Sequence, residues 1–100
     1  MTFQTPNTID SAAFNVTNGQ SDYDVRTNVA AAFSNVKVYK RLELRVDGDI
    51  TLKLNKTTNP GIAIGKLDSP YVIPFDMDVT DLYISNASGA TVAVKLFGTA

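Results

Sequence analysis

The sequence predicts an all-β chain, a small antiparallel β-sandwich or jelly-roll-like barrel of about seven to eight short strands. Three observations carry this expectation. Val, Ile and Thr account for 27 of the 100 residues, and side chains branched at Cβ suit a pleated strand better than a helix. The helix formers Glu and Gln are confined to Glu43, Gln4 and Gln20. Short alternating runs are separated by turn signals about every 8–12 residues, the spacing of sandwiches and barrels.

The elements follow in chain order. Residues 1–20 are polar, with isolated Phe3, Ile9, Phe14 and Val16; they read as an extended N-terminal arm or a weak edge strand. Residues 21–100 form the β domain. In "SDYDVRTNVAAAFSNV" (21–36), Val25, Val29 and Phe33 recur every four residues and Ala30–Ala32 favour helix, with Ser21 or Asp22 as a cap. Thr27, Asn28 and the valines oppose this, so the expectation is a strand at 22–27 and then a short turn or helical turn.

"RLELRVDGDITLKLN" (41–55) alternates Leu42, Leu44 and Val46 with Ile50, Leu52 and Leu54. A hairpin through Asp47-Gly48-Asp49 puts all six on one face and sets Glu43 opposite Lys53. Short strands are predicted at 62–64 and 71–75, separated by a turn at Asp68-Ser69-Pro70, with Pro74 making the second an edge or a bend. The run "DMDVTDLYISN" (76–86) shifts phase near Thr80-Asp81, the mark of a bulge or corner. A second hairpin is then predicted through Ala87-Ser88-Gly89, pairing Ile84 with Val92 and Asp81 with Lys95. Gly89 falls where a three-residue loop needs positive φ.

Composition excludes several function classes. The net charge is −1 and the nine basic residues are scattered, so no nucleic-acid partner is indicated. The longest uninterrupted apolar runs fall far below the about 20 residues of a membrane-spanning helix, and "MTFQTPNTID" lacks the regions of a signal peptide. The expected site of synthesis and folding is a cytosol. Cysteine and histidine are absent, which removes disulfides, thiolate or imidazole metal sites, and Cys–His or Ser–His–Asp catalysis. The expectation is a non-enzyme without cofactor, metal or small-molecule substrate.

Four groups of residues are candidate sites. Asp76, Asp78 and Asp81 could offer oxygen ligands to Ca²⁺, but they lack the glycine and glutamate of an EF-hand loop and read as a solvent face. Asp47 and Asp49 read as turn residues. Asp22, Asp24 and Glu43 have no spacing that unites them as a glycosidase pair. Tyr23, Tyr39, Tyr71 and Tyr83 could make a sugar-stacking platform; Tyr39 and Tyr83 are expected to face outward, where tyrosine favours partner contact.

The succession "DYDV" (22–25), an Ala/Phe turn (30–33), "GDITLKLN" (48–55), "PGIAI" (60–64) and "DLYISNASGATVAVKLFG" (81–98) resembles small β-sandwich virion structural proteins of tailed bacteriophages, of the capsid decoration or cement type. The resemblance covers residues 22–98. It implies a virion protein that acts by interface burial, with the major capsid protein and copies of itself, as in a trimer, for partners. Phe3, Ile9, Tyr39 and Tyr83 are then the expected interface residues. The arm would add as a strand to a neighbour, so deleting residues 1–10 is expected to weaken assembly and spare the fold. A tail or surface module binding host glycan, or a generic adhesion module, is the alternative.

Overall fold

Eight strands run along the described residues, 8–73 and 76–100, of the computed structural model. They are β1 (Ile9–Val16), β2 (Tyr23–Asp24), β3 (Arg41–Val46), β4 (Ile50–Leu54), β5 (Ile62–Ile64), β6 (Tyr71–Val72), β7 (Leu82–Ser85) and β8 (Val92–Thr99). One sheet has the order β1-β8-β3-β6 and the other β2-β7-β4-β5, with every pairing antiparallel. First pairs with last, second with seventh, third with sixth and fourth with fifth. That nesting is the jelly-roll arrangement of a β-sandwich.

The nesting overturns both predicted hairpins. Among the described strands, only the β4–β5 connection stays within one sheet. Leu44 lies opposite Leu96 and Tyr71, whereas Leu52 lies opposite Ile84 and Ile62. Asp47–Asp49 and Ala87–Gly89 are arches that carry the chain across the core from one sheet to the other. A hairpin and an arch can bury the same alternate residues, since both turn them toward a common interior. The expected cross-strand pairs therefore do not form. Arg45 Nε reaches Glu43 at 3.4 Å, and Lys53 Nζ pairs with Asp22 at 3.1 Å.

The predicted parity does hold within strands. Leu42, Leu44 and Val46, then Ile50, Leu52 and Leu54, then Leu82 and Ile84, then Val92, Val94 and Leu96 are all buried. The core lies between the sheets and extends to Val25, Phe33, Tyr39 and Val79. Residues 9–16, read as arm or weak edge strand, form the eight-residue edge strand β1, paired without a bulge from Ile9–Thr99 to Val16–Val92.

The ambiguous segment resolves differently from the expectation. Asp22 has φ +50, which confines β2 to two residues. Val25–Asn28 is one α-helical turn (α1), capped by Asp24, whose carboxylate accepts from the Thr27 N–H and hydroxyl. Pro74 and Phe75 of the predicted 71–75 strand lie outside the described residues. The 76–81 segment is no regular strand; Asn55 pins it instead. Its side-chain oxygen accepts from the Thr80 N–H at 2.8 Å, and its amide donates to the Asp78 carbonyl at 2.8 Å.

Candidate functional site

Two buried polar centres brace the sandwich, one at each end. At the first, β1 turns Asp10 inward, where it is 1% exposed. Its carboxylate accepts from the Tyr39 hydroxyl at 2.8 Å, from the Asn35 and Val36 N–H groups at 3.1 Å each, and from the Ser34 hydroxyl at 3.3 Å. Burial pushes the Asp10 carboxyl up, but the Tyr39 hydrogen bond and then those of Val36, Asn35 and Ser34 outweigh it, leaving the pKa below its ordinary value. Burial is also the main cause that raises the Tyr39 phenol above its usual range.

The Tyr39 ring lies flat against Gly98, where a methyl group would stand 2.6 Å from the ring. Phe33 stacks on the other side of Tyr39 at 4.3 Å, and the Arg26 guanidinium covers Phe33 at 5.0 Å. Phe33 adopts φ +55, an uncommon conformation for a bulky residue; its N–H donates to the Tyr39 hydroxyl at 2.7 Å. This stack of glycine, tyrosine, phenylalanine and arginine plugs one end of the sandwich. Tyr39, expected at an interface, is fully buried, because the chain bends at Lys40 and the parity of β3 does not extend to it. It bridges Val79 instead.

Asn86 organises the opposite end. Its amide donates to the Val16 and Ala90 carbonyls at 2.8 and 2.7 Å, and its oxygen accepts from the Ser88 N–H and hydroxyl at 2.9 and 2.7 Å. Gly89 has φ +92, so the arch uses the glycine for the reason the sequence suggested. Every donor and acceptor of the Asn86 side chain is satisfied.

The surface chemistry lies on the two outer faces. On the β1-β8-β3-β6 sheet, register aligns Ile9 with Thr99 and Arg41, then Ser11 with Phe97, Glu43 and Val72, then Ala13 with Lys95 and Arg45. Ile9 and Val72 are 55% and 52% exposed, and Arg45 lies over the Phe97 ring at 5.8 Å. On the β2-β7-β4-β5 sheet, Tyr83 sits between Asp24 and Lys53. Asp22 reaches Lys53 across the same face. Burial raises the Tyr83 phenol above its ordinary value, and Asp81, Asp24 and Asp22 add to the shift.

The backbone of β1 forms a third feature. In β8 the Thr99 carbonyl accepts from Lys40 and the Ala93 carbonyl from Asp47, so odd-numbered residues of β8 bond toward β3. Antiparallel alternation leaves the even ones for β1, where their partners are Asp10, Ala12, Phe14 and Val16. The N–H and C=O groups of Ser11, Ala13 and Asn15 therefore point away from the sheet. No described strand pairs with that edge.

Among the predicted site residues, Ile9 is exposed on one face, Tyr83 is half-buried on the other, Tyr39 is in the core, and Phe3 lies outside the described residues. Tyr39 and Tyr83, weighed with Tyr23 and Tyr71 as a sugar-stacking platform and expected to face outward together, do not share a face: Tyr39 is in the core and Tyr83 on an outer face. Asp76, Asp78 and Asp81 do not converge either: Asp78 pairs with Lys40 at 3.0 Å and Asp81 accepts from the Thr80 hydroxyl at 3.1 Å. No cluster of three metal-ligating side chains occurs among the described residues, and no described helix is long and apolar enough to cross a membrane. Asp10, Arg41, Arg45 and Phe97 were not singled out from sequence. Alternation through "IDSAAFNV" would have found Asp10, by placing it with Ala12, Phe14 and Val16. Comparison with family models, curated proteins and solved structures gives no match.

Proposed function

We propose that the chain is a non-enzymatic virion structural protein, a capsid decoration or cement protein that stabilises a phage head through contacts with the major capsid protein. The observation that carries this reading is the open edge of β1. It is eight residues long, regular and free of proline, lysine and bulges; of the devices by which edge strands are ordinarily blunted it carries the inward charge of Asp10, which is taken up by the bonds to Tyr39 and residues 34–36. The outward side chains Ser11 and Ala13 leave room for a neighbouring strand. Pairing along Ser11–Asn15 supplies main-chain hydrogen bonds, and adjacent side chains supply selectivity. Jelly rolls serve in viral capsid and lectin domains alike, and the resemblance of residues 22–98 favours the former.

The test uses expanded phage heads and other head and tail assembly intermediates as binding partners. Added protein is expected to bind expanded shells and raise their melting temperature. Ala13→Pro removes an outward-pointing N–H without touching the β8 ladder, so it is expected to keep its circular dichroism and lose shell binding. Wild-type protein that binds no head or tail intermediate, or a folded Ala13→Pro variant that binds as well as wild type, overturns the proposal.

A further inference from the structure

We propose that copies of this chain stack front to back, the outer face of the β1-β8-β3-β6 sheet of one copy meeting the outer face of the β2-β7-β4-β5 sheet of the next. The inference rests on reading the protein as an assembly component, and it names a second copy as the partner of its faces.

Charge complementarity selects that partner. The first face carries Arg41, Arg45 and Lys95 against Glu43, with Asp47 at its rim bonded to the Ala93 N–H, around Ile9, Val72 and the Phe97 ring. The second carries Asp22, Asp24 and Asp81 against the single ammonium of Lys53, around Tyr83. One face is a basic frame about apolar side chains and the other an acidic frame about an aromatic ring. The chain's net charge of −1 hides this division. Basic and acidic frames attract across two copies, whereas like faces repel, which disfavours a two-fold dimer through either face.

Size sets the character of the contact. The strands of the second sheet, at most five residues long, limit the shared face to about 17 by about 19 Å, or about 320 Å². That is below the roughly 800 Å² per partner of a standard stable interface. The stack is therefore reversible in solution and steered by charge. Because the two surfaces differ, each added copy presents the same pair of faces again, and the contact propagates unless the rotation closes a ring.

Sedimentation velocity of the full chain tests this, in salt of about 10 mM and about 1 M, between which the Debye length falls from about 30 to about 3 Å. At low salt the weight-average mass is expected to rise with concentration; at high salt it returns to the monomer. Arg45→Glu and Asp81→Lys, each shown to be folded by circular dichroism, are each expected to lower the association constant at least about tenfold. A wild-type chain that stays monomeric, an oligomer indifferent to salt, or variants that associate as well as wild type overturns the stacking. A monomer that still binds shells refutes the stacking alone and leaves the proposed function standing; salt-dependent stacking without shell binding supports the stacking and refutes that function.

Discussion

Asp10 is the residue on which one end of the molecule depends. Its carboxylate holds the backbone of 35–36 and the Tyr39 hydroxyl together, so protonating it removes acceptor capacity from several donors at once. Its folded pKa lies below its ordinary value, so as pH falls the unfolded chain takes up the proton first. The stabilisation is thus complete above the unfolded aspartate value of about 3.9 and is lost as pH falls through the folded value. Asp10→Asn is expected to lower stability at neutral pH by about 1–3 kcal/mol and to flatten the acid limb of the stability curve. Urea melts of both proteins from neutral pH down to acid check this; parallel acid limbs would show that another carboxylate governs the transition. Tyr39 is no surface contact: its ring is buried and its hydroxyl is already bonded on both sides.

At the scale of elements, the strands were far more legible than their pairings. The 41–46, 50–54 and 62–64 strands fall where alternation and turn residues put them, and their buried faces follow period 2. The partners do not follow from that pattern, because alternation records which side of a strand meets the interior and not which strand lies beside it. Val46 and Ile50 share the core from opposite sheets, yet they satisfy the same parity as a hairpin pair. Tyr39 was misplaced because Lys40 bends the chain, and a local bend leaves no trace in composition. Asp10 and its neighbours were overlooked because a polar terminus suggested an arm. The deletion of residues 1–10 therefore changes meaning: it removes Asp10 and the first two pairs of β1, Ile9 with Thr99 and Asp10 with Gly98, and is expected to lower thermal stability as well as any assembly activity. Thermal melts followed by circular dichroism decide between a supporting strand and a dispensable arm.

At the scale of the whole molecule, the jelly roll makes nearly every pairing remote in sequence. β1 must find β8, β2 must find β7 and β3 must find β6, with only β4 and β5 joined by a local turn. Closing long loops costs entropy before any contact offsets it, and chains dominated by such pairings fold in milliseconds to seconds. Refolding from urea, followed by stopped-flow tyrosine fluorescence, is expected to fall in that range. A microsecond relaxation would indicate that local structure, such as the β4–β5 hairpin with α1, dominates the rate-limiting step.

The pairing of Ile9 with Thr99 carries one more consequence. The outermost strands of the described chain begin and finish side by side, next to the aromatic plug, while the arches at 47–49 and 87–89 and the exposed Leu67 gather at the far pole. The molecule thus has a root and a crown. A peptide or enzyme fused after Ala100 would leave by the root and keep the crown clear, which makes the fold a natural mount for display.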